Sequence, residues 1–188
     1  MRPTTGDDAV DYPALPRVPE SLDLESPLWQ FALTFWQDSD IEQTCLSLQS
    51  RGWSVTRLLC AAWLAGQGVP PCPEPEAVAH WRHQVTGVIR ALRQRLPREQ
   101  SPAGGLRKAL AQAELKAEQL ELALAFPLLS VHIERSSQAK TADSELIRAH
   151  FYRSAPDSKT LDRDTKSLIE VLIQRVQRDT NQRSETRS

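Results

Sequence analysis

One stretch of the chain, from Leu58 to Gly66, is apolar around the whole circumference of a helix. It reads Leu-Leu-Cys-Ala-Ala-Trp-Leu-Ala-Gly, and a helix of this kind is buried on every side. Its small residues allow neighbouring helices to approach closely. Other apolar residues also recur at helical spacing, and no segment shows the clear alternation of a half-buried strand. The sequence therefore predicts an all-α fold, a compact bundle with this helix at its centre.

Start and stop signals divide the region around this segment into about five helices. Ser26-Pro27 predicts the start of the first helix, and Ser39-Asp40-Ile41-Glu42 has the pattern of a capping box that begins the second. Gly52 ends the second helix, and Ser54 begins the third. The remaining helices of the bundle are predicted from about Glu76 to Leu96 and from about Leu106 onward, with Pro127 kinking or ending the last one and residues 128–133 forming a further turn or a short strand.

Composition divides the chain into three parts. Residues 1–25 contain four prolines and few large apolar side chains, which predicts a flexible acidic tail. Residues 26–134 form the bundle domain. Residues 135–188 are predicted to be a polar linker followed by a C-terminal helical extension, whose longer helix, Leu161–Arg178, carries an apolar stripe. That stripe would add to the bundle, form a homo-oligomer or dock on a partner.

The chain shows no sign of a membrane-spanning or secreted protein. Its 188 residues include no apolar run long enough to span a bilayer. The first 25 residues lack the basic start and apolar stretch of a signal peptide. We therefore expect no membrane insertion and a cytoplasmic location.

The motifs of common enzyme and cofactor sites are absent from the sequence. Cys45, Cys60 and Cys72 include no CxxC pair, and Cys45 and Cys60 are expected to be buried thiols. The glutamates and histidines of the fourth and fifth helices lack the paired Glu-x-x-His pattern of a di-iron bundle. Neither a phosphate-binding glycine loop nor a Gly-x-Ser-x-Gly nucleophile occurs. We expect no metal and no cofactor, and an enzyme or small-ligand protein without a recognisable motif is the less favoured alternative.

One segment, residues 82–108, is strongly basic, with seven basic residues and one acidic residue. Arg82, Arg90, Arg93 and Arg95 lie on one face of the predicted fourth helix. Such a face pairs with glutamates of the neighbouring helix, binds an acidic surface of a partner protein, or contacts the phosphates of a nucleic acid. The formal net charge of the whole chain is −1, which disfavours the nucleic-acid interpretation.

Among the five tryptophans, Trp53 has the least constrained position, because it directly follows the predicted helix stop at Gly52. An exposed tryptophan is typical of a protein-binding hot spot. With Arg51 and Arg57 near it in sequence, Trp53 is the candidate anchor of a protein-binding site. Packing in the core is the alternative for this residue.

Several core-like segments together resemble a known family of small proteobacterial proteins of unknown function, over roughly residues 26–125. The segments that carry the resemblance are Leu28–Leu33, Cys45–Gln49, Leu58-Leu59, Ala62–Ala65, Trp81-Arg82 and Ala113–Glu118. The resemblance implies a bacterial cytoplasmic setting and no known reaction.

These observations together favour a non-enzymatic function. The motifs of known catalytic and cofactor sites are absent, and both ends of the chain offer flexible or amphipathic segments of the kind used for docking. We expect a protein-binding adaptor or regulator. A nucleic-acid-associated protein that uses the arginines of residues 82–108 is the alternative.

Overall fold

A computed structural model of the chain describes residues 14–97, 102–136, 143–156 and 161–186. Within these ranges all regular structure is helical, which confirms the predicted all-α class. Residues 1–13 of the predicted tail and residues 137–142 of the predicted linker lie outside the described residues. The helices in chain order are α1 (Pro27–Trp36), α2 (Ser39–Ser50), α3 (Val55–Gly66), α4 (Glu76–Trp81), α5 (Gly87–Arg95), α6 (Gly104–Arg135), α7 (Ser144–Arg153) and α8 (Arg163–Glu185).

Side chains at the helix starts explain where the first three helices begin. The Ser26 and Ser54 hydroxyls accept hydrogen bonds from main-chain N–H groups of α1 and α3, as predicted. The cap of α2 is Asp38 and not the predicted Ser39, because the Asp38 carboxylate accepts from two N–H groups of the first turn. Gly52, which follows α2, has a φ of +93°, a left-handed conformation that a residue with a Cβ adopts only under strain.

A π-helical turn, Arg82–Thr86, joins α4 to α5, where the sequence predicts one uninterrupted helix. The N–H of Gly87 donates to the main-chain oxygen of Arg82, five residues earlier. A Cβ on Gly87 would lie 3.0 Å from that oxygen, closer than such atoms normally approach. Glycine therefore fits the position where the wide turn closes.

The long helix α6 continues through Pro127 to Arg135, so residues 128–133 are helical, which was one of the two alternatives, and the helix does not end at Pro127. Proline removes one hydrogen bond from a helix interior. Burial on both sides of Pro127 offsets this loss, since Leu124 before it and Leu129 after it are both buried in the core.

Helix α3 lies at the centre of the bundle, as its apolar circumference predicts, and packs against α1, α2, α6, α7 and α8. The C-terminal helices are part of this core and not an extension of it. Phe151 of α7 and Leu172 and Ile173 of α8 are fully buried. The apolar stripe of α8 therefore packs against helices of its own chain, which is the first of the three alternatives for this stripe.

Helix α5 and the first turns of α6 form an antiparallel pair at the edge of the core. Helix α5 contains no buried residue. Val88, Leu92 and Leu106, all on this pair, are each about half exposed. The contact between α5 and α6 therefore includes ion pairs beside half-exposed apolar side chains.

Candidate functional site

A buried polar cluster connects the π-helical turn to α6. The carboxylate of Glu121 is fully buried and accepts hydrogen bonds from Arg82, Thr56 and Thr86. The Arg82 Nε lies 2.7 Å from its Oε1. The π-helical turn brings Arg82 and Thr86 to the same carboxylate. Although burial disfavours the charge of Arg82, hydrogen bonds and charges of Glu74 and Glu121 raise the pKa of its guanidinium.

A second set of ion pairs joins α5 to α6 nearer the tip of the helix pair. Arg90 bridges Glu114, at 2.7 Å, and Glu118, at 2.6 Å. Arg93 also bonds to Glu114. Burial opposes the charge of Glu114, but its bonds to Arg93 and Arg90 lower the pKa of this carboxyl below its usual value. Burial raises the pKa of Glu118 to about 7. Two carboxyls one helical turn apart therefore differ in their protonation.

The basic face predicted from the sequence is thus turned largely toward the protein itself. Arg82, Arg90 and Arg93 pair with glutamates, which is the intramolecular interpretation of this face. Arg95 is exposed and forms no ion pair with any residue that the structure describes. Three of these four guanidinium groups are therefore paired with carboxylates of the same chain.

The residues predicted as a protein-binding anchor do not form a shared surface. Trp53 is only 3% exposed and belongs to the core, so core packing, and not the exposed hot spot, is the correct one of the two interpretations for this side chain. Arg51 lies 3.2 Å from Asp162 at the start of α8. Arg57 donates to the main-chain oxygen of Arg153 in α7. The two arginines therefore hold the C-terminal helices in place.

An open apolar groove of about 540 Å³ lies between α1 and α6, with α3 as its floor and α2 at one end. We call it the α1–α6 groove. Leu33, Leu46 and Leu115 line it and are about half exposed, at 43%, 46% and 54%. Its further apolar lining comes from Trp29, Ala32, Trp36, Val55, Leu59, Ala111 and Leu122. The lining leucines leave a large apolar surface open to solvent, which is typical of an interaction site.

One wall of the α1–α6 groove is polar and belongs to the ion pairs described above. Arg93, Glu114 and Glu118 all line it, as does the Thr56 hydroxyl that bonds to Glu121. This wall joins an apolar floor to a carboxyl with a raised pKa, a combination that is typical of functional sites. None of the three exposed leucines was predicted as a site residue. Leu115 could have been found from the sequence, because it is an apolar residue outside the apolar stripe of its helix.

Within the described residues, no three histidine, cysteine or acidic side chains are grouped so that they could bind a metal ion. Among the described helices, none combines the length and the apolar character needed to cross a bilayer.

A family model described as "Protein of unknown function (DUF2390)" matches residues 27–124, which confirms the resemblance seen in the sequence. No curated protein and no solved structure matches the chain. The matched range includes every residue that lines the α1–α6 groove, whereas α7 and α8 lie outside it.

Proposed function

The chain belongs to the DUF2390 family of proteins of unknown function, and from its own surfaces we propose that it is a protein-binding adaptor or regulator of the bacterial cytoplasm. The α1–α6 groove is the proposed binding site. Its ligand is an amphipathic helix of a partner protein, with a basic residue at the edge of its apolar stripe. The single observation that carries this proposal is the set of half-exposed leucines on three different helices that face one groove.

The dimensions of the groove support a helical ligand. Along α6 the lining runs from Ala111 to Leu122, which is about 16 Å at 1.5 Å per residue, or three turns. A partner helix of similar length presents apolar side chains at positions i, i+4, i+7 and i+11 to such a groove. Burial of these side chains against Leu33, Leu46 and Leu115 supplies the main favourable free energy, at roughly 25 cal/mol per Å² of apolar surface.

The charges of the polar wall support a basic edge on that helix. The carboxyls of Glu114 and Glu118 line the groove with Arg93, and Arg90 bridges both of them from outside the lining, so two guanidinium groups face two carboxyls. A lysine or arginine of the partner beside Glu118 would favour the ionised form of this carboxyl, whose pKa burial raises. Complementary charge of this kind selects partners and fixes the orientation of the bound helix.

A capture experiment with matched variants tests the proposal. The wild-type chain, Leu115→Glu and Leu128→Glu serve as baits for proteins of a bacterial lysate, with half of each sample treated with nuclease. Leu128 lies on the same helix as Leu115, is 47% exposed and stands outside the groove. We expect a partner that wild type and Leu128→Glu retain after nuclease and that Leu115→Glu loses. Equal capture of the partner by all three baits would refute the groove as its binding site. Loss of capture on nuclease treatment would favour the nucleic-acid alternative.

The chemistry of the bound segment is tested by crosslinking. A photoreactive amino acid in place of Leu33 should label the captured partner at one segment. We expect this segment to be an amphipathic helix with a lysine or arginine beside its apolar stripe, and a synthetic peptide of its sequence should compete for the groove. A labelled segment that is extended or acidic would contradict the proposed ligand.

A further inference from the structure

A second cavity, of about 350 Å³, lies on the face of α3 that points away from the α1–α6 groove. Its walls are α3, the loop of residues 69–75, α6 and α7. Ala61 and Leu64 of α3, Val78 of α4 and Ala125 and Leu129 of α6 provide an apolar floor. Arg57, from α3, and Arg153, from α7, also line it. The cavity thus combines an apolar interior with two guanidinium groups.

The loop that covers this cavity is held rigid by its sequence and by three side chains of α6 and α7. Four of its seven residues are prolines, whose φ is fixed. The ring Nε2 of His150 donates to the oxygen of Val69 at 2.8 Å, and that of His132 donates to the oxygen of Pro70 at 3.0 Å. The Nε of Arg153 donates to the oxygen of Cys72 at 3.2 Å. The cavity is therefore formed before any ligand arrives, which reduces the entropic cost of binding.

The charges around the cavity sum to one excess positive charge. Glu74 is shared between Arg57 and Arg82, and Glu121 bonds to Arg82 as well. Arg153 forms no ion pair with any residue in the described ranges. Three guanidinium groups thus meet two carboxylates.

The other titratable groups that line the cavity add no charge near pH 7. Burial lowers the pKa of His150 and keeps its ring neutral. Burial raises the pKa of the Cys60 and Cys72 thiols, so both are protonated.

We propose that this cavity binds a small monocarboxylate with a short aliphatic body. The carboxylate accepts hydrogen bonds from Arg153 and Arg57, the planar donors that suit this group. The aliphatic body lies on the floor formed by Ala61, Leu64 and Leu129. A single negative charge matches the single excess positive charge, whereas a phosphate dianion would leave one negative charge uncompensated in a partly buried site.

Calorimetric titration with defined probes tests this site on the full chain. The probes are acetate, butyrate, butyramide and inorganic phosphate at pH 7.5. We expect butyrate to bind more tightly than acetate, because it adds apolar contact, and we expect butyramide, its neutral analogue, not to bind. No binding of butyrate at millimolar concentration would overturn the proposal. So would tighter binding of phosphate than of butyrate, or equal binding of butyramide.

Matched variants locate the binding. Arg153→Gln should weaken butyrate binding by at least about tenfold, since a charge-assisted hydrogen bond is lost. Arg178→Gln, which changes an exposed arginine outside the cavity, should leave the butyrate affinity unchanged. Butyrate should also slow alkylation of the Cys72 thiol, a readout that does not depend on a variant. Unchanged affinity in Arg153→Gln together with unchanged alkylation of Cys72 would place binding elsewhere and refute the site.

Discussion

Arg82 and Glu121 are joined across the interior of the protein, with a guanidinium nitrogen of Arg82 2.7 Å from the Oε1 of a fully buried carboxylate. They come from the π-helical turn and from α6. Removing two charges from water is unfavourable, and their attraction offsets this cost only when further hydrogen bonds complete the site. Thr56 and Thr86 supply those bonds to Glu121, and Glu74 supplies a second carboxylate to Arg82.

Neutralising this carboxylate should strongly destabilise the fold. In Glu121→Gln, the guanidinium of Arg82 retains only the carboxylate of Glu74 as a negatively charged partner. The amide nitrogen of the glutamine would also face side chains that donate hydrogen bonds to Glu121 in the wild type. We expect the free energy of unfolding to fall by about 3 kcal/mol, measured by urea denaturation. Glu170→Gln is the matched control, because its pair with Arg148 is 40% exposed and contributes roughly 0–1 kcal/mol. Equal losses in the two variants would contradict this account.

Stability should fall with rising pH because of Glu118. Burial raises the pKa of this carboxyl from 4.5 to about 7, so between these values the folded protein binds the proton that the unfolded chain has released. The contribution of Glu118 is therefore fully present below pH 4.5 and is lost as the pH rises through 7. From pH 5 to pH 8, Glu118→Gln should lose less stability than wild type, by about 1–3 kcal/mol.

The difference in stability between wild type and Glu118→Gln separates the effect of Glu118 from that of a second titrating group, His150. Burial lowers the pKa of His150, so its contribution is lost as the pH falls and has the opposite sign. Since His150 is present in both proteins, its effect cancels in the difference. Urea denaturation at several pH values between 5 and 8 gives the stability of wild type and of Glu118→Gln as a function of pH. Parallel curves for the two proteins would show that Glu118 ionises normally.

The π-helical turn should depend on glycine at its end. Gly87→Ala places a Cβ 3.0 Å from the Arg82 main-chain oxygen, whereas a Cβ at Gly105 meets nothing within 4 Å. Both changes gain helix propensity, at most about 0.5–1 kcal/mol. We expect Gly105→Ala to be neutral or stabilising and Gly87→Ala to be less stable than it by at least about 1 kcal/mol. Thermal melting measures the difference, and equal melting temperatures would mean that the turn relaxes without cost.

The C-terminal helices should be needed for folding. Phe151 is fully buried in α7, and its neighbour Tyr152 is 38% exposed. Phe151→Ala should cost about 3–5 kcal/mol, and Tyr152→Ala about 1 kcal/mol or less. Urea denaturation of the two variants distinguishes a core helix from an appended one. Similar small losses in both would mean that α7 contributes little to the core.

Local sequence signals predict most of the helices. Ser26, Ser54 and Gly52 set helix ends through hydrogen bonds and backbone conformation within one turn of the chain. Such local effects can be predicted from the sequence alone. The cap of α2 was assigned one residue late, since Asp38 and Ser39 both have capping side chains and only the geometry separates them. The π-helical turn is not evident from local sequence, because a glycine such as Gly87 does not specify it alone and the side chain of Thr86 bonds to Glu121, 35 residues later.

The candidate site was less predictable because it depends on which apolar residues remain uncovered. Trp53 follows a helix stop, as many exposed residues do, but packing of the surrounding helices buries it. Leu33 belongs to a helix that is apolar on most sides, and periodicity does not tell which side lacks a neighbour. The pairing of Arg90 with Glu114 was one of the alternatives from sequence, since both lie on faces of helices that are adjacent in the chain.

Helix α3 is enclosed by helices that the ribosome makes at very different times. Its first neighbours, α1 and α2, precede it, but α7 and α8 begin about 80 and 100 residues after it ends. At a synthesis rate of roughly 5–20 residues per second, its apolar surface stays uncovered for several seconds or longer. The nascent chain therefore presents an apolar helix to chaperones throughout that interval. A chain that is released early, before α7, would keep this surface exposed and be a substrate for protein quality control.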